Sequence, residues 1–208
     1  MPRALRPAAV AVIAAALACS PAIAQGGSPG CMEDEQRRQF DFWVGSWNVY
    51  AASGAFGGEN TIERDAAGCV LQETWRSASG SGGRSLNFVD PNTGAWRQLW
   101  TGVNHVIDYS GGLNARGQMI LEGEITYFGP DGTRSAPFRG AWTPRPDGAV
   151  IQHFQQYDAT ARAWSDWALL TYVPDAADPN GREPGADATG PVIELAPDAF
   201  TADAGAPG

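Results

Sequence analysis

Apolar and polar residues alternate with period two along most of the chain after Gly45. Trp96, Gln98 and Trp100 oppose Arg97, Leu99 and Thr101. Met119, Leu121, Ile125 and Tyr127 oppose Gln118, Glu122, Glu124 and Thr126, and Phe138 and Trp142 oppose Arg139 and Thr143. Successive side chains of a strand point to opposite faces, so this pattern predicts strands with one face on a core and the other in water. Turn-forming clusters recur along the chain, as the turns of successive hairpins do. They are Ser53-Gly54, Gly80–Gly83, Asp90–Gly94, Gly111-Gly112, Gly129–Gly132 and Pro146–Gly148. About ten strands follow, beginning near Gly45, Gly58, Val70, Gly83, Trp96, Val106, Gly117, Thr133, Gly148 and Trp164.

One helix is predicted, from Met32 to Trp43. Glu33, Asp34 and Glu35 stand at its start and Arg37 and Arg38 follow, an order that suits the helix macrodipole. A short helix followed by a hairpin meander predicts an all-β fold, an up-and-down antiparallel β-barrel, because closure removes the unpaired sheet edges.

The ends of the chain read differently. Arg3 and Arg6 precede the apolar run Ala8–Ala18, and Ala22-Ile23-Ala24 offers a small-x-small cleavage site, which together predict a secretory signal over residues 1–24. The run is far short of the roughly 20 residues a membrane-spanning helix needs. Export to a periplasmic or extracellular location is expected, with acylation at Cys19 and lipoprotein anchoring as the alternative. Residues 174–208 carry seven acidic residues against Arg182 alone and are rich in Pro, Gly, Ala and Asp. Such a segment buries too little apolar surface to offset its ordering entropy, so a disordered tail is expected, with Val192–Leu195 as a conceivable extra edge strand. Residues 25–173 remain as one domain.

Removing the signal leaves Cys31 and Cys69, and an even pair in an oxidising compartment predicts a disulfide. The net charge is −9, and acidic residues outnumber basic ones in both the body and the tail. That excludes nucleic acid as the expected partner, since binding to phosphates needs clustered cations. All 14 basic residues are arginine. Schiff-base chemistry and the lysine-dependent phosphate loop are therefore excluded.

The stretch Phe40-Asp41-Phe42-Trp43-Val44-Gly45-Ser46-Trp47 resembles the opening of a bacterial family of lipocalin-like (calycin) proteins of unassigned activity. Gly68–Trp75, Ser85–Asn87 and Trp96–Trp100 resemble later pieces of the same family. The resemblance implies a barrel with a ligand-sized interior. It also implies that Trp47 sits on the first strand and closes one end, with Gly45 letting the chain turn into that strand and an arginine (Arg76, Arg139 or Arg162) across the tryptophan. Phe40, Phe42 and Trp43 would complete the plug.

If the third to fifth strands turn one face inward, that face carries Glu73, Trp75, Asn87, Trp96, Gln98 and Trp100. Apolar walls with a few convergent polar groups are typical of small-molecule pockets. The expected function is binding of a small, partly apolar molecule by a monomer. One alternative is an enzyme using Glu73 or Asp108 with His105 or His153 as acid and base, and another is a filled barrel acting through its surface. No cofactor is expected: haem barrels similar to nitrobindin use a histidine on the closing strand, and Trp164–Val173 has none. No metal site is expected from two histidines and an oxidised cysteine pair.

Overall fold

The computed structural model describes residues 30–177; the signal segment with Cys19, the tail beyond residue 177 and the Val192–Leu195 island lie outside the described residues. Ten antiparallel strands are present: β1 (Gly45–Ala51), β2 (Phe56–Asp65), β3 (Val70–Ser77), β4 (Gly82–Val89), β5 (Trp96–Thr101), β6 (His105–Leu113), β7 (Met119–Gly129), β8 (Gly132–Pro144), β9 (Val150–Asp158) and β10 (Ala163–Pro174). Each pairs with its sequence neighbours, and β10 returns to β1, so the sheet is a closed up-and-down barrel.

Every strand begins within two residues of its predicted start. The two-residue differences have local causes. Strand β2 starts early because a bulge at Val49/Tyr50 lets Phe56 pair with Tyr50, and β7 and β9 start late because Gly117 and Gly148 are taken up by the preceding turns.

The predicted helix over Met32–Trp43 is much shorter in the structure. A single α-turn, α1, covers Glu35–Arg38, with the Asp34 side chain accepting from the Gln36 and Arg37 amides. Phe40 then leaves helical geometry (φ −103°, ψ 12°), and a 3₁₀ turn covers Asp41–Trp43. The segment Met-Glu-Asp-Glu-Gln-Arg-Arg-Gln has no apolar face, and α1 buries none of its residues. A helix that is polar all round has nothing to gain from growing longer. Its N-terminal side is instead fastened to the barrel by the Cys31–Cys69 disulfide.

The aromatic residues after α1 seal one end of the barrel. Phe40 and Trp43 are fully buried and stack on each other with centroids 4.9 Å apart. Phe40 also meets Trp142 at 5.3 Å and Trp96 at 5.7 Å, while Phe42 packs 5.5 Å from Phe40 on the more exposed side. Trp47 donates its indole N–H to the Trp43 carbonyl at 3.0 Å and meets Tyr172 edge-on. At Gly45 the backbone takes φ +149°, a region side-chain-bearing residues avoid, and so turns sharply into β1. Of the three arginines considered for the place across Trp47, Arg139 lies over Trp164 at 4.2 Å, and Arg76 and Arg162 are exposed.

Candidate functional site

The interior is not filled. A cavity of about 480 Å³ opens between the hairpins at the end opposite the plug, a size in the range that holds drug-like small molecules. Its inner part is polar, with Asn60, Glu73, Gln98, Tyr109, Gln152 and Tyr172. Trp75, Trp100, Ile107, Phe154, Trp167 and Leu170 form apolar walls, and Ser81, Gly82 and Gly102–His105 form the rim.

Of the six predicted lining residues, Glu73, Trp75, Gln98 and Trp100 line this cavity. Asn87 and Trp96 are buried but are not among its lining residues. Asn87 supports the floor from beside it: its Oδ1 accepts from Gln98 Nε2, and its Nδ2 donates to Ser85 Oγ at 2.9 Å and to the Leu71 carbonyl at 3.1 Å. Trp96 belongs to the plug and donates its indole N–H to the Gln36 carbonyl at 3.1 Å. Alternation assigns both residues to the inner face but does not give depth along the barrel axis. Trp96 and Trp100 share a face of β5, yet one is at the closed end and the other at the mouth.

The floor is a network of cross-strand pairs on the inner face, the arrangement in which facing side chains meet most closely. Glu73 on β3 stands opposite Ser85 on β4, and Gln98 on β5 stands opposite Tyr109 on β6. Ser85 donates to Glu73 Oε2 at 2.6 Å, and Asn60 donates to Glu73 Oε1 at 2.7 Å and to the Tyr172 hydroxyl at 3.0 Å. Tyr172 in turn donates to Gln152 Oε1 at 3.1 Å, and Tyr109 donates to Gln98 Oε1.

Glu73 is only 3% exposed. Burial pushes its pKa up to about 7, although the Ser85 and Asn60 hydrogen bonds oppose the shift. Removing a carboxylate from water disfavours its charged form. Tyr109 and Tyr172 are held well above the ordinary tyrosine pKa, first by burial and then by the Glu73 charge.

At the mouth, Trp100 donates its indole N–H to His105 Nε2 at 3.1 Å, and His105 Nδ1 donates to Asn104 Oδ1 at 2.9 Å. Both ring nitrogens are therefore engaged, and burial lowers the His105 pKa, so the ring is neutral. Of the acid-base candidates considered from the sequence, Glu73 and His105 both line the cavity but bond to other partners, whereas His153 and Asp108 lie outside its lining. His153 bonds Asp166 at 2.7 Å outside the cavity lining. Asp108 likewise pairs outside it with Arg97 at 2.7 Å. The described residues contain no group of three or more His, Cys, Asp or Glu able to hold a metal ion.

Trp100 has room because Gly83 has no side chain. A Cβ there would collide with the Trp100 indole and lie 2.8 Å from the Thr101 carbonyl oxygen. Gly83→Ala is expected to cost about 1–3 kcal/mol in urea unfolding, the usual penalty for overpacking. An unchanged midpoint and slope would mean that the indole moves aside freely.

Sequence reading missed Asn60, Tyr109, Gln152, Phe154, Leu170, Tyr172 and Trp167 as lining. Asn60 shares its strand face with the buried Ile62, and a polar residue in phase with a core residue was the available signal. Trp167 gave no such signal. The β9–β10 register slips between Asp166 and Ala168, and this bulge directs the indole into the mouth, as bulges beside functional sites often do. There it donates to the Tyr127 hydroxyl at 2.9 Å. No protein-family model and no curated protein matches the chain.

Proposed function

We propose that the protein binds one small, partly apolar molecule inside the barrel, acting as a monomer outside the reducing cytosol. The observation that carries the reading is the cavity of about 480 Å³, apolar at its walls and polar at its floor, above a plugged end. A disulfide between Cys31 and Cys69 supports an oxidising compartment, as does the signal-like first segment. No helix among the described residues is long and apolar enough to cross a membrane. The F-D-F-W-x-G-x-W opening supports kinship with lipocalin-like barrels, whose fold suits such a role.

Native mass spectrometry of protein secreted by its own host tests the proposal, with an adduct of small-molecule mass as the expected result. Trp100→Ala is expected to weaken retention about tenfold, the loss of roughly 1.4 kcal/mol of aromatic contact. A bare polypeptide, together with no thermal shift across a library of hydrophobic ligands, would refute the reading.

A further inference from the structure

We infer that the cavity receives an organic cation, a molecule with an ammonium head set against Glu73 and Asn60 and an apolar body among Trp75, Trp100 and Trp167. This rests on the binding proposal above and names the ligand class within it.

The first argument is the hydrogen-bond polarity of the floor. Its hydroxyl hydrogens are already committed: Ser85 to Glu73, Tyr172 to Gln152 and Tyr109 to Gln98. Both Asn60 amide hydrogens are spent on Glu73 and Tyr172. Apart from the amide N–H groups of Gln152, whose carbonyl alone is engaged, the spare capacity is of the opposite kind. A carboxylate oxygen accepts more than one hydrogen bond, and each Glu73 oxygen receives one from these partners. Asn60 is 1% exposed, lines the cavity, and its Oδ1 has no hydrogen-bond partner. A buried acceptor left unmade is costly. An ammonium with three N–H groups satisfies it and the carboxylate together, whereas an anionic head meets hydroxyls whose hydrogens are taken.

The second argument is charge. No arginine lines the cavity, and the chain has no lysine. The groups that face Glu73 from the packed strands are Asn60 on β2, Ser85 on β4, Tyr109 on β6 and Tyr172 on β10. None of these is cationic, and His105 at the mouth accepts the Trp100 indole N–H on Nε2, as only a neutral ring can. Among the described residues Glu73 thus has no cationic partner, and a buried carboxylate is stable as an anion only when paired. The third argument is the wall: several aromatic rings flank one acidic group, and ring faces attract cations in desolvated sites.

Isothermal titration with tryptamine, its alcohol tryptophol and indoleacetate, near pH 7 and in buffers of differing ionisation enthalpy, tests the inference. Tryptamine is expected to bind at least about tenfold more tightly than tryptophol, with indoleacetate weakest. A cation holds Glu73 ionised, so with a pKa of about 7 tryptamine is expected to release about half a proton per complex near neutrality, and tryptophol none. Glu73→Gln is expected to abolish both the preference for tryptamine over tryptophol and the proton release. Tryptophol or indoleacetate binding as tightly as tryptamine would overturn the cation class and leave the binding proposal standing. Silence with all three probes also overturns it, and a bare polypeptide in native mass spectrometry would remove the binding proposal as well.

Discussion

Trp43→Ala is expected to lower the unfolding free energy by about 3–5 kcal/mol, the cost of emptying a large buried aromatic site. The indole is fully buried, stacked on Phe40 at 4.9 Å and within 5.6 Å of Trp142 and 6.2 Å of Tyr172. Those neighbours come from the entry segment, β8 and β10. The void would therefore lie where three parts of the chain meet, and a closed barrel has little freedom to collapse onto it. Trp43→Phe is the informative comparison. The Trp43 Nε1 is buried with no hydrogen-bond partner, a penalty of roughly 1–3 kcal/mol that phenylalanine relieves. That relief offsets much of the lost volume, so Trp43→Phe should cost less than about 1.5 kcal/mol in guanidinium unfolding. If both variants lost the same stability, the plug would not owe its strength to packing.

The same residues show what the sequence carries and what it does not. Alternation, turn spacing and the even cysteine count are local or compositional. They placed all ten strands, the inner-facing parity of Glu73, Gln98 and Trp100, and the Cys31–Cys69 pair. Charge order favours a helix over Met32–Trp43 but carries no information on which face would be buried, and α1, which buries none of its residues, stops at Arg38. Depth along the barrel was not legible, since it depends on the register of each strand against its neighbours once the sheet has closed. That is why Trp96 was grouped with Trp100. The contributions of Asn60, Gln152 and Tyr172 to one polar floor depend on that closure too. Asn60 on β2 reaches Tyr172 on β10, 112 positions away in sequence, and only the β10–β1 pairing brings those strands near each other. Trp167 was hidden for a different reason. One extra residue in β10 breaks the period-two rule on which the strand reading depends.

Glu73→Gln is expected to raise stability by about 3 kcal/mol at about pH 9 and to leave it nearly unchanged at about pH 4. Glu73 has a folded pKa of about 7 against an ordinary value of 4.5. Between those pH values the folded protein holds a proton that the unfolded chain has lost. The Glu73 contribution to stability therefore falls as pH rises through that window and stays level above it. Glutamine has no proton to lose, so the wild-type penalty vanishes. The floor can absorb the change, because Ser85 Oγ can accept as well as donate and the unpartnered Asn60 Oδ1 offers an acceptor to the new amide. Comparing the two proteins by urea titration across pH also cancels the opposite contribution of His105, whose lowered pKa makes stability rise with pH up to its unfolded value. A stability difference that stayed flat from acid to alkaline pH would mean that Glu73 ionises as an ordinary surface carboxylate. The floor would then be open to water, and a buried, unpaired charge would no longer be available to select a ligand. A difference that rises along the expected curve and disappears when tryptamine saturates the wild type would tie the stability cost to the site's chemistry. The free energy lost by leaving Glu73 unpaired would then be the free energy that a cation recovers on binding.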